Sequence, residues 1–357
     1  MKNTVHLICL EFKFLFRQKF LTLLLLFGIA LTLFRMPRFH FEFNYDAFEK
    51  SRESRTETEN LEVEFWDKRK KEVLEERELF VKRAQDLQND LNEDQRYERE
   101  YFEKIEKYYS KPIHLETQSY SGWELFFLHQ TSMSPHNIVS FWAHIMIVSA
   151  GLLLLTKDRE NKTLFWASFT GKGTVFSSFA LKIVTVFFYG VIVQTIFNFI
   201  YILWLWLVTG YDMRHFFHLI QNISQFGMCD LRLNILQTLL LDMFLKCVLS
   251  ILLSMFIFLF AGIMKRYIFL FMSSIAFNGG LYYLFYISNH KNNFDMWWRI
   301  NPFHIYQLDQ ALTYHAVNIM NHAVDARVVV GGLTVMTLVV LLIGSYRIWR
   351  RYLYAER

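Results

Sequence analysis

Long apolar runs alternate with charged segments along this chain, and the runs are long enough to cross a membrane. A transmembrane helix needs ~20 largely apolar residues, and the pattern predicts six spans. The predicted spans are residues 20–36, 136–155, 176–208, 239–263, 267–287 and 328–346. The expected fold class is therefore an all-α polytopic membrane protein.

The segment before the first span, residues 1–19, is rich in Leu and Phe but also contains Glu11, Lys13 and Arg17. This mixture predicts an amphipathic helix on the cytoplasmic membrane surface; a simple basic flank of the first span is the alternative. No small-residue cleavage site follows residues 20–36, so we expect the first span to be a retained helix rather than a signal peptide.

Residues 37–135 form the predicted extracellular domain, which is rich in charge. Val73, Phe80 and Leu87 recur every seven residues, which is typical of a helix with a narrow apolar seam. Polar residues at 89–94 indicate a turn, and a shorter returning helix is expected to end near residues 111–112. The prediction is a helical hairpin or coiled coil, serving either as a binding stalk or as a solvated spacer.

Charge predicts the orientation of the spans. The chain has a net charge of +5, although residues 49–107 alone carry −5, so the remainder carries +10. The basic excess lies in the segments expected inside, 156–175, the Lys265-Arg266 turn and the tail 347–357, whereas 209–238 and 288–327 are expected outside. Both termini are thus predicted to be cytoplasmic. Basic residues placed beside apolar runs argue against a nucleic-acid partner.

Several polar residues fall inside predicted spans. Gln194 and Asn198 share one helix face because they are four residues apart, and Asn278 is a third candidate for a substrate path. Helix–helix hydrogen bonding is the plainer interpretation of the same face. Asp242 and Lys246 predict a structural ion pair, either at the outer interface or turned into the bundle.

Enzymatic and metal-binding functions lack their signatures. The sequence contains no GxxxxGK[ST], HExxH or GxSxG. His144 with Asp242, Asn198 and Asn278 shows no catalytic spacing, and His215 with His218 is too sparse a pattern to predict a metal site. The three cysteines form no disulfide or zinc pattern. We therefore expect neither an enzyme nor a bound metal.

The segment 156–175 has the most distinctive pattern. Leu164, Phe165 and Phe169 would lie close to one side of a short helix at 160–169, with Trp166 beside them. An apolar patch of this kind on a basic loop favours a docking surface for another protein; a solvated connector between two spans is the alternative.

This segment, with Glu160, Thr163-Leu164, the turn at 171–173 and Lys182, resembles the first cytoplasmic loop of ABC-2 type transporter permeases. Lys162 stands where that family usually has a small residue, and the turn lacks the usual proline. The Asn301-Pro302-Phe303 stretch in the last outer loop is also similar to that family, in which this loop holds short re-entrant helices.

The resemblance implies a transport subunit of a bacterial plasma-membrane exporter. It would bind no cofactor itself, since ATP and Mg²⁺ would bind a separate cytoplasmic ABC ATPase, and it would pair with an identical or different permease. The residues implied in coupling to the ATPase are Asp158, Arg159, Glu160, Thr163, Leu164, Phe165, Trp166 and Phe169. The expected substrate is an amphipathic peptide or lipid-like compound. The alternative is a multi-span receptor or scaffold whose ectodomain senses an extracellular ligand.

Overall fold

The computed structural model describes residues 2–43, 55–89, 91, 95–111, 121–127, 135–161, 175–207, 213–223, 226–260, 272–273, 276–277, 279–280 and 308–354. These residues are mostly helical. In chain order the helices are α1 (Lys2–Arg17), α2 (Lys19–Phe43), α3 (Arg55–Asn89), α4 (Arg96–Tyr109), α5 (Ser121–Phe126), α6 (Pro135–Asn161), α7 (Val175–Leu207), α8 (Ile235–Phe260), α9 (Leu308–Leu312) and α10 (Ala326–Tyr354). A short β-hairpin, β1 (Ala316–Ile319) and β2 (His322–Asp325), precedes α10.

Three helices in the described ranges are long and apolar enough to cross a bilayer. They contain Ala180–Leu207, Ile235–Phe256 and Ala326–Ile348, with 28, 22 and 23 residues. A fourth is counted if Ile8–Arg17 and Lys19–Leu31, which meet at a bend of 68°, form one broken span. The chain is therefore a membrane protein.

Helix α6 lies at the centre of the bundle, packed against α2, α7 and α8. Nearly every residue from Ala143 to Leu154 is buried, which is the behaviour expected of a helix that is apolar on all sides. Gly28 lets α2 approach, because a Cβ there would lie 1.7 Å from the Trp142 indole. The Trp142 Nε1–H donates to Leu24 O at 2.9 Å, so α2 and α6 are also joined by a hydrogen bond.

Helix α10 has the opposite character. Leu341 and Ser345 are buried and Gly344 contacts Leu259 of α8, but the other described residues of the helix are exposed or only partly buried. Seven large apolar side chains are exposed: Val328, Leu333, Val335, Met336, Val339, Val340 and Ile343. Exposed apolar side chains along a helix of this length are suited to contact with lipid.

One end of the bundle, here called the ectodomain end because residues 37–135 are predicted to lie outside the cell, is closed by an aromatic cluster. Trp123, Phe126 and Phe127, in and just after α5, pack with Tyr201 near the end of α7 and Ile235 at the start of α8. The Trp123 Nε1–H donates to Arg214 O at 2.6 Å. Helix α7 thus runs towards this end and α8 runs away from it.

Helices α3 and α4 pack as an antiparallel hairpin at the ectodomain end. Gln85 Nε2 donates to Glu106 Oε1 at 2.7 Å, whereas Arg77, earlier in α3, donates to the later carbonyls of Tyr108 and Tyr109 at 3.2 and 3.0 Å. Arg77 also donates to Gly227 O at 3.1 Å. A guanidinium at a helix C-terminus satisfies carbonyls that lack intrahelical donors and complements the helix dipole.

The predicted apolar seam of α3 needs correction. Val73 is buried as expected, but Leu87 is 50% exposed, and Lys70 and Arg77 occupy buried positions. Arg77 is tolerated there because its donors meet backbone carbonyls, and burial lowers its pKa below the usual guanidinium range.

Helix ends also differ from the predicted span boundaries. Hydropathy marks the apolar part of a helix, whereas the helical hydrogen bonds continue into charged residues. Helix α2 continues past residue 36 to Phe43, α6 past 155 to Asn161 and α10 past 346 to Tyr354, while α8 begins at Ile235 rather than 239.

The all-α prediction missed the β-hairpin. Ala316 pairs with Asp325 and Ile319 with His322, and the turn residues Met320 and Asn321 have φ values of 50° and 63°. Two successive positive φ values are those of a type I′ turn, which matches the twist of paired strands.

Glu100 of α4 attaches the β-hairpin to the hairpin formed by α3 and α4. Its carboxylate accepts from Ala323 N at 3.1 Å and lies 2.9 Å from His322 Nδ1. Lys104 of the same helix donates to Ala323 O. The hydrogen bond from Arg96, followed by the Ala323 amide and His322, lowers the pKa of Glu100 to about 2.

Because the pKa of Glu100 is depressed, its bonds to the β-hairpin should be fully formed above pH 4.5, the ordinary pKa of this carboxyl group. They should be lost as the pH falls from there towards about 2. Glu100→Gln should abolish this pH dependence and speed hydrogen exchange of the Ala323 amide at pH 7, measured by mass spectrometry. Glu103→Gln, an exposed change on the same helix, is the matched control. Equal exchange in wild type and Glu100→Gln would contradict the assignment.

Candidate functional site

A chain of hydrogen-bonded polar groups connects α6 and α8 in the apolar interior of the bundle. His144 Nδ1 lies 2.7 Å from Ser250 Oγ, and the Ser250 hydroxyl donates to Lys246 O at 2.7 Å. Because that hydroxyl has one proton and gives it to Lys246 O, Nδ1–H of His144 is the donor in the contact with Ser250. The sequence analysis did not predict Ser250. It lies two helical turns after Asp242 and one turn after Lys246, and this regular spacing could have identified it.

Asp242 and Lys246 form an ion pair on α8, as their spacing predicts. The sequence left two locations open for this pair, the outer interface and the interior of the bundle. The structure places it in the interior, because the Asp242 side chain is 1% exposed and that of Lys246 is 14% exposed. An ion pair at this depth is characteristic of functional positions in membrane proteins.

Gln194 and Asn198 lie on the buried face of α7. They are 0% and 6% exposed. Among the residues that the structure describes, neither amide atom of Gln194 nor Asn198 Nδ2 has a hydrogen-bond partner. A buried polar group without a partner costs ~1–3 kcal/mol, so the packing of these two side chains against the described residues does not stabilise the bundle through hydrogen bonds. Asn278, the third predicted residue of the substrate path, lies outside the described residues.

Lys182 links three helices at the end of the bundle opposite the ectodomain. Its side chain is buried, and Nζ donates to Leu154 O of α6 at 2.7 Å and lies 3.9 Å from Glu11 Oε1 of α1. Helices α1, α6 and α7 therefore meet around one cation. Lys182 is also one of the residues on which the resemblance to ABC-2 permeases depends.

The predicted coupling residues fall into two groups. Asp158, Arg159 and Glu160 belong to the last turns of α6 rather than to a loop. The others, Thr163, Leu164, Phe165, Trp166 and Phe169, lie outside the described residues. The apolar patch therefore remains a prediction.

The described ranges contain no group of three or more His, Cys, Asp or Glu side chains arranged to hold a metal ion. The rings of His215 and His218 lie 4.8 Å apart, edge to face.

Comparison with known proteins adds no relative. No family model, no curated protein and no solved structure matches this chain. Inference about function consequently depends on its own residues and their geometry.

We expect Gln194→Met to leave the melting temperature of the purified protein unchanged or to raise it. Methionine has a similar length and removes the two unpartnered amide atoms, a change worth ~1–3 kcal/mol. Ile192→Met, on the exposed side of α7, is the control. A clear loss of stability for Gln194→Met alone would show that the amide has a partner and favour helix–helix bonding.

Proposed function

We propose that this chain is the transmembrane permease subunit of an ATP-driven ABC exporter, with ATP hydrolysis on a separate cytoplasmic subunit. The proposal combines the resemblance at Glu160 and its neighbours with one structural observation. The two helices that flank residues 162–174 are α6 and α7, and buried Lys182 joins them at their base. A partner that binds this loop would therefore act on the centre of the bundle.

The packing of α6 supports a mechanism for coupling. Because α6 contacts α2, α7 and α8, a displacement at its cytoplasmic end would move several spans together. In a close-packed interior such displacement favours a change between two discrete arrangements. Gln194 and Asn198 would then line the path in one of them, where substrate or water could supply the missing hydrogen-bond partners.

Helix directions support the six-span topology as part of this proposal. Helix α8 runs away from the ectodomain end, yet Leu308 packs in the cluster at that end. Residues 272–273, 276–277 and 279–280 are helical, and Phe277 stacks on Phe256 at 5.3 Å between ring centroids. A fifth span near 267–287 satisfies both observations, with both termini in the cytoplasm of a bacterial cell.

The proposed substrate is an amphipathic peptide or a lipid-like compound. Residues 49–107 carry a net charge of −5, which would raise the local concentration of a cationic peptide near the outer surface. By analogy with ABC-2 permeases, two such subunits, identical or different, would enclose the path.

One observation favours the receptor alternative. Helix α4 is bonded through Glu100 to β2, and β2 leads directly into α10. A ligand that moved the hairpin of α3 and α4 would therefore act on a membrane helix. Transport that depends on an ATPase partner separates the two functions.

Mild purification from the native membrane should recover a P-loop ATPase with this chain. Combined replacement of Glu160, Phe165 and Trp166 by alanine should reduce the recovered ATPase by about tenfold or more, because apolar anchors dominate interface energies. Combined replacement of Glu78, Leu79 and Leu87, exposed on α3, removes the same kinds of side chain from the ectodomain and should leave recovery intact. If no ATPase is recovered with wild-type protein in several mild detergents, the exporter proposal is wrong.

The topology has its own test in intact cells, using a membrane-impermeant maleimide after Cys9→Ser removes the exposed native thiol. Asp86→Cys should be labelled from outside, whereas Lys265→Cys and Arg357→Cys should react only after permeabilisation. Labelling of Lys265→Cys in intact cells would exclude the six-span arrangement.

A further inference from the structure

Helix α1 is held at the edge of the apolar layer by its contact with α7. Lys182 of α7 is buried, and its Nζ lies 3.9 Å from Glu11 Oε1 of α1. The apolar stretch of α7 begins at Ala180, so Glu11 lies level with the point where α7 enters that layer. Helix α1 also meets α2 at a bend of 68°. A helix at this angle to a membrane-crossing helix runs along the membrane surface.

The inward side of α1 packs on the bundle. Leu15 is fully buried in the central apolar cluster, and Phe12 and Phe14 pack against the same cluster. Glu11 lies on this side as well, because it is one helical turn from Leu15 and contacts Lys182. These contacts determine which side of α1 faces away from the protein.

The outward side of α1 combines basic and apolar side chains. Lys13 and Arg17 are exposed and share one helix face, because they are four residues apart. Leu10 and Phe16, which are 47% and 55% exposed, flank this pair on its two sides. Water would leave the apolar side chains solvated, whereas hydrocarbon would leave the charges without partners. The boundary between lipid headgroups and acyl chains suits both kinds of side chain.

The bases near the bend between α1 and α2 have no anionic partner in the described part of the chain. Lys13 and Arg17, together with Lys19 at the start of α2, make no hydrogen bond or ion pair with another described residue. Residues 1–20 contain four bases and one acid, Glu11, and Glu11 lies on the inward side beside Lys182. The outward face therefore carries positive charge that an external anion can balance.

We propose that the outward face of α1 binds anionic phospholipids. Lys13, Arg17 and Lys19 would contact the headgroup phosphates, while Leu10 and Phe16 enter the acyl region. Anionic lipids attract basic residues on a helix at the membrane surface, whereas a zwitterionic headgroup has no net charge to offer. With the N-terminus in the cytoplasm, as in the proposed topology, these lipids belong to the inner leaflet.

Lipid bound to the outward face would press the inward face of α1 against the bundle. Glu11 on that inward face contacts Lys182, and Lys182 donates to Leu154 O of α6 at 2.7 Å. The headgroup composition of the membrane would thereby act on the joint between α6 and α7. The inference does not depend on the exporter proposal, since it requires only that α2 crosses a bilayer with α1 at its surface.

Cys9 provides a reporter on the outward face. It is exposed, whereas Cys229 and Cys247 are buried, so a fluorescent maleimide labels α1 in the folded protein. The labelled full chain, purified without other proteins, is reconstituted in vesicles of phosphatidylglycerol and phosphatidylcholine, one of which is brominated to quench the dye. Phosphatidylglycerol should bind about fivefold or more tightly than phosphatidylcholine, the ratio that corresponds to ~1 kcal/mol for one basic residue near an anionic surface.

Combined Lys13→Gln, Arg17→Gln and Lys19→Gln should reduce this ratio to about one. Exchanging lysine for arginine and arginine for lysine at the same three positions should preserve the ratio, because the attraction depends on charge. The matched control removes three exposed charges from the hairpin of α3 and α4, through Lys82→Gln, Arg83→Gln and Lys107→Gln. It should leave the ratio unchanged.

Equal binding of the two lipids by the wild-type protein would overturn the proposal, and so would an equal loss of preference in the hairpin control. A protein partner on the same face gives a different result. If the outward face binds the cytoplasmic ATPase, the glutamine variant of α1 will lower the recovery of ATPase from native membranes while its lipid ratio stays that of the wild type. That outcome also overturns the proposal.

Discussion

The burial of residues 143–154 of α6 on every side is the constraint on which the bundle depends. A helix in this position must satisfy its backbone internally and admit its neighbours closely, since hydrocarbon offers no competing hydrogen bonds. Gly151 meets Ser254 of α8, where an added Cβ would lie 2.9 Å from the Ser254 Cβ, and Gly190 of α7 lies against Ile147. Small residues thus determine how near α7 and α8 come to α6. That close approach in turn brings His144 to Ser250 and buries the side chains of Gln194 and Asn198.

The sequence predicts the elements whose signal is local. The length and hydropathy of α7, α8 and α10 identify them. The seven-residue recurrence of Val73 and Phe80 predicts a helix at α3, although the seam fails at Leu87. Contacts between distant residues leave no such signal. Arg77 reaches Gly227 across 150 positions, and Glu100 reaches His322 across 222. The β-hairpin was missed for another reason: its turn is Met320-Asn321, without the glycine that usually marks positive φ.

The two ends of the bundle are held together by different means. At the end of the bundle opposite the aromatic cluster, Lys182 is fully buried and bonded to Leu154 O. Separating α6 from α7 there would leave a charge without its partner or expose it. The α3–α4 hairpin is joined to the rest of the chain by polar contacts, among them Glu100 with His322 and Arg77 with Gly227. It is also joined by a buried cluster in which Ile105 and Tyr109 pack with Tyr314. Exposed ion pairs contribute little individually, ~0–1 kcal/mol. The buried cluster and the Arg77 bond are therefore the stronger part of this joint, and the exposed ion pair is the weaker part.

These two joints bear on how motion would pass through the protein. In the proposed coupling, a base closed around a buried charge would move as one body, so that a force applied between α6 and α7 would reach the buried polar residues of the bundle. At the other end, Arg327, at the start of α10, bonds both Asp230 and Asp325. Because these two carboxylates belong to the segments leading into α8 and α10, their shared cation couples those helices at the outer end. A change in the spacing of α8 and α10 would therefore have to stretch or exchange these bonds, which makes Arg327 the point where bundle and ectodomain motions meet.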